Sequence, residues 1–160
     1  MLKFETRAKK SAALWTAARV VAFFWFGALG WAMARVYLFH EDNLVPFIPI
    51  FWIGAIFLGA MLGWRFMAKK PGFGYKKSLG RGFASAVWLY LLIVLWQASL
   101  FTYVNLNAGS FDSPEIIPGI WMSSFVFFVR NMLDWNMVLV GVVGGLMGGQ
   151  IVGTVNWFWR

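Results

Sequence analysis

The sequence predicts an all-α integral membrane protein: four transmembrane helices plus a short interfacial or re-entrant helix on the outer side. Two observations carry this. Four apolar stretches, roughly 20–39, 47–67, 83–104 and 137–157, each hold the ~20 residues that a helix needs to cross a ~30 Å hydrocarbon core. Charge alternates between them. Of 14 Lys and Arg, only Arg35 and Arg130 fall outside the segments that would share one membrane face, and of 6 acids only Glu5 falls on that face. Basic residues are retained on the cytoplasmic side, so this alternation orients the chain with both termini inside. Composition agrees: 61% of residues are hydrophobic and 12% charged, against about a quarter charged in soluble domains. Residues 1–160 therefore read as a single membrane domain.

The elements follow in order. A basic lead-in (Lys3, Arg7, Lys9, Lys10) precedes the first span, Val20 to Phe39, which has Arg19 at its inner edge and Arg35 a turn inside its outer edge. Both can bend their charged heads toward water while their stems stay in lipid. His40-Glu41-Asp42-Asn43 is an acidic outer turn, and Pro46 and Pro49 suit the start of the next helix. The second span, Phe47 to Met67, ends in Trp64-Arg65. Lys69, Lys70, Lys76, Lys77 and Arg81 surround Pro71, Gly72 and Gly74; the breakers predict an inner loop, and the charges predict headgroup contact and topology control. The third span, Phe83 to Val104, contains Gln97, Ser99 and Thr102. Ser113-Pro114-Glu115 reads as a helix start with Ser as cap. The apolar run from Ile120 to Val129 is about half a membrane thickness, so the 114–131 segment is expected to stay on the outer side. Arg130 and Asp134 stand four apart and are placed to pair. The last span, Met137 to Trp157, returns the C-terminus inside.

One local pattern is sharp. Gly141, Gly145, Gly149 and Gly153 repeat every four residues, with Gly144 and Gly148 beside them. Residues four apart share a helix face, so this face is nearly bare backbone. Helices in lipid associate by close packing rather than by a hydrophobic drive, and small residues permit it. Ala55, Gly59 and Gly63 form a shorter stripe, which makes spans two and four expected partners. Of the 11 Trp, most lie near interfaces as lipid anchors, while Trp25, Trp31, Trp88 and Trp96 lie deeper. Deep aromatics fill space between helices and acyl chains. They also suit contact with a partner protein, for which Trp88 and Trp96 are the candidates, or with a flat pigment or quinone.

Catalytic chemistry finds little support. Cys is absent, the single His40 has only Glu41 and Asp42 beside it, and no acid lies in mid-span. A metal site needs three or four converging ligands. Gly72-Phe73-Gly74 has no preceding strand and no following Gly-Lys-Ser/Thr, so it is not a phosphate-binding loop. The net charge of +8 flanks apolar spans and forms no stripe for nucleic acid. The expectation is a non-enzymatic protein that needs no cofactor. It would bind lipid and act as an accessory or scaffolding subunit among other integral membrane subunits.

Gly63-Trp64-Arg65, Gly72-Phe73-Gly74-Tyr75 and Gly80, with the apolar span that follows, resemble the TrgA family of small alphaproteobacterial membrane proteins associated with tellurite resistance. Val143-Gly144-Gly145-Leu146 through Trp159-Arg160 is similar to that family's last span, and the likeness runs from about Gly27 onward. Phe73 stands where the family commonly has Arg, and the longer basic N-terminus and heavier Trp content depart from its pattern. The resemblance implies a bacterial inner-membrane address and an influence on tellurite or oxyanion resistance or permeation. It implies no catalytic residue.

Overall fold

The structure, a computed structural model, describes residues 17–40, 48–67, 75–107 and 114–158. It comprises α1 (Ala17–His40), α2 (Ile48–Leu62) continued by a π-helical turn (Gly63–Met67), α3 (Tyr75–Asn107), a 3-10 turn (Pro114–Ile116), α4 (Ile117–Met132) and α5 (Trp135–Phe158). Among the described residues, four segments are long and apolar enough to cross a membrane: Ala17–Leu38, Ile48–Phe66, Lys77–Asn107 and Trp135–Phe158. The 16 residues of α4 span about 24 Å, short of the ~30 Å core. The molecule is a multi-pass helical membrane protein.

The four spans form a ring in the order α1, α2, α3, α5, with α4 attached to the outside of α3. Short connections make sequential helices neighbours in such bundles. The diagonal pair α1 and α3 scarcely touches, and spans two and four occupy the other diagonal. The expected partnership of Ala55, Gly59 and Gly63 with the span-four glycines is therefore not what forms. Each stripe packs on a sequence neighbour or on span one instead. The core comprises large side chains from every helix, among them Phe26, Met33, Phe51, Leu89, Ile93, Phe128 and Met137.

Three boundaries differ from those expected. α3 begins at Tyr75, so Lys76, Lys77 and Arg81 lie on its first turns rather than in a loop. Pro71, Gly72 and Gly74 all precede this start, whereas Lys and Ser carry only small helix penalties. At 33 residues α3 is about 50 Å long, so it tilts within the bilayer or extends past it. α4 begins at Ile117 with Ile116 as an uncapped start and Pro in its first turn, three residues after the expected Ser-Pro start. Lastly, α2 changes to π-helix at Gly63, which periodicity does not reveal. The basic N-terminal segment, the acidic turn residues Glu41, Asp42 and Asn43, and Lys69, Lys70 and Ser113 lie outside the described residues.

Candidate functional site

The glycine faces are close-approach surfaces. On α5, a Cβ at Gly145 would stand 2.6 Å from Ala86 Cβ and 2.8 Å from the Gly82 carbonyl oxygen of α3. A Cβ at Gly149 would stand 2.5 Å from the Ser78 carbonyl oxygen, and one at Gly153 would meet the Ser78 side chain. The Ser78 hydroxyl donates to the Gly149 carbonyl, so a hydrogen bond reinforces this seam. Gly141 is roomier, its would-be Cβ lying 3.5 Å from Met33 Cε of α1. On α2, added atoms at Gly59 and Gly63 would run into the Phe26 and Ala22 carbonyls of α1. Gly30 and Gly82 complete these seams from the opposite helices, and the sequence stripes did not single them out.

The tryptophans divide by the fate of their indole N–H. Trp25 donates to the Gly144 carbonyl at 2.9 Å, tying α1 to α5. Trp121 donates to Ser99 Oγ at 3.2 Å, helping to hold α4 on α3. Trp96 packs at the α2–α3 seam against Gly54, with its indole nitrogen sealed and unpartnered. Trp88 faces outward at 51% exposure, and Trp31 at 47%; neither indole N–H has an acceptor within the described chain. Of the two candidate contact residues, Trp88 thus projects from the bundle and Trp96 is half-buried within it.

The other polar groups of the spans are mostly satisfied locally. Ser99, Thr102, Asn105 and Thr154 donate to the carbonyl four residues before them. Tyr90 Oη donates to the Val129 carbonyl at 2.7 Å and, with the Phe101–Phe128 edge contact, fixes α4 beside the apolar part of α3. Exceptions remain: Gln97 and Ser85 are fully buried, and neither the two amide atoms of Gln97 nor the Ser85 hydroxyl has a partner, as is also true of the Trp52 indole nitrogen. The nearest helical neighbours of Gln97, Ile93, Val94 and Ala98, are buried and apolar.

The charged groups among the described residues lie apart along the helices. Asp134 accepts from the Asn136 backbone N–H at 3.2 Å and so caps α5, and no ion pair joins it to Arg130. Capping satisfies an otherwise orphan N–H and places negative charge at the positive helix end. The Arg35 guanidinium lies 5.5 Å from the centre of the Trp52 ring, a cation–π contact that shields it near the outer end of α1. Lys77 is exposed and Arg81 half-buried at the start of α3. No group of three potential metal ligands occurs among the described residues. Comparison of the chain with protein-family models, with curated proteins and with solved structures finds no match.

Proposed function

We propose that this chain is a non-enzymatic accessory or scaffolding subunit that docks onto a larger membrane assembly, respiratory or photosynthetic, in a bacterial inner membrane. The observation that carries the reading is Trp88. Its indole faces out of the bundle from within an apolar span, and its N–H has no acceptor among the described residues. Leaving a polar donor unpaired in hydrocarbon is costly, roughly 2–7 kcal/mol for an amide or hydroxyl; Trp25 and Trp121 find acceptors within the bundle, whereas Trp31 shares the condition of Trp88. A partner helix offering a carbonyl or hydroxyl would supply Trp88 with one, and its packing would cover the adjacent exposed Phe83 and Val87. Trp is over-represented among interface hot spots for this combination of large apolar area and one donor. Lipid covers the remaining outer surface, and a quinone or pigment carbonyl is an alternative acceptor at the same indole.

Blue-native electrophoresis of membranes solubilised in mild detergent tests the reading. The wild-type protein is expected in a band far above its own 18.2 kDa. Trp88→Leu should release it, and Trp88→Phe, which keeps the ring but loses the donor, should weaken the association. Migration of the wild-type protein alone would overturn the proposal.

The resemblance of Gly63-Trp64-Arg65 and its surroundings to the TrgA family favours a second reading, a free-standing factor in tellurite or oxyanion resistance. Under that reading deletion changes tellurite sensitivity and leaves the size and stability of every other membrane complex unchanged.

A further inference from the structure

α1 and α2 enclose an apolar trough on their lipid-facing side. Its upper part, about 600 Å³, lies between Phe24 and Trp31 of α1 and Ile53 and Phe57 of α2, over a floor that includes Gly27 and Ala60. Its lower part, about 420 Å³, is lined by Val20, Met61, Trp64 and Arg65. Phe23 and Phe24 line both, so the two parts adjoin. From Val20 to Trp31 the trough runs about 17 Å along α1, close to half of a ~30 Å hydrocarbon core. It is therefore matched to the depth of a single leaflet.

The two ends differ in charge. The upper end holds only apolar and aromatic groups. The lower end closes on Arg65, which is exposed and has no hydrogen-bond or ion-pair partner among the described residues. Lys69 and Lys70 follow it within five residues of sequence. Arg65 sits in the π-helical turn Gly63–Met67, a distortion that recurs at functional sites. Phe23 stands edge-on to Trp64 at 6.2 Å, and both rings line the lower part together with Arg65.

We propose that this trough binds one phospholipid with an anionic headgroup. One acyl chain lies along Phe24, Gly27 and Phe57, and the phosphate pairs with Arg65. A planar guanidinium can meet two phosphate oxygens at once, which a lysine cannot. The basic residues that follow add attraction for a net-negative headgroup over a zwitterionic one.

Native mass spectrometry of the purified full chain tests this, with titration by phosphatidylglycerol or by phosphatidylcholine of identical acyl chains. The wild type should retain one phosphatidylglycerol, favoured over phosphatidylcholine by roughly fivefold or more. Arg65→Gln should bring the two lipids close to parity. Ala28→Trp, which builds bulk into the trough wall from an exposed position, should reduce retention of both. Equal retention of the two lipids by the wild type, or an undiminished preference in Arg65→Gln, would overturn the proposal. So would a dimer that Ala28→Trp abolishes with no lipid retained, because the trough would then seat a helix of a second copy.

Discussion

Small differences in clearance set what individual positions tolerate. Gly145 and Gly149 face carbonyls and Cβ atoms of α3 at distances no side chain can share, while Gly141 faces the flexible end of Met33. Gly145→Leu or Gly149→Leu is therefore expected to cost roughly 1–3 kcal/mol or more through overpacking, and Gly141→Ala and Leu139→Ile to cost little. Thermal unfolding in detergent checks this, and an unchanged midpoint for both Leu variants would mean that α5 does not pack as described. Gln97 has the opposite problem. Its amide is buried without partners, so Gln97→Leu should raise stability by about 1–3 kcal/mol. A fall instead would mean that the amide holds a water or a ligand. The sequence marked Gln97 as deep and polar and marked the glycines by their spacing. It could not tell that Gly141 has room and Gly145 has none, because that depends on which residues lie opposite.

At the level of elements, long apolar runs and breaker residues made most helices legible. The start of α3 was not, because a basic run with glycines suits a loop or an exposed first turn equally well. Once Ser78 is fastened to the Gly149 carbonyl, tertiary packing decides in favour of helix. The π-turn at Gly63 was also hidden, since one residue of extra winding leaves hydropathy unchanged. The pairing of stripes failed for a topological reason: small residues show that a helix packs closely, but not on which neighbour. The sequence placed Asp134 opposite Arg130, four residues away, and the structure uses it to cap α5. Asp134→Ala should therefore destabilise the α4–α5 junction by about 1 kcal/mol, and Arg130→Ala by much less. Comparable losses from both would restore the ion-pair account.

For the whole molecule, spans and charge bias were sufficient to fix an all-helical, four-span architecture, because in lipid each helix must satisfy its own backbone and each charge must reach water. The candidate site was less legible. Trp88 and Trp96 looked alike as deep indoles, and only three-dimensional packing turned one outward and set the other against Gly54. The account as a whole depends on four crossings, with α4 lying beside the apolar part of α3 without completing a fifth. Alkaline phosphatase and green fluorescent protein fused in turn to the C-terminus, after Arg160, measure this directly. Four crossings and the distribution of Lys and Arg predict a fluorescent cytoplasmic fusion and an inactive phosphatase. An active phosphatase with a dark fluorescent protein would place the C-terminus outside, make α4 a full crossing and contradict the four-span arrangement.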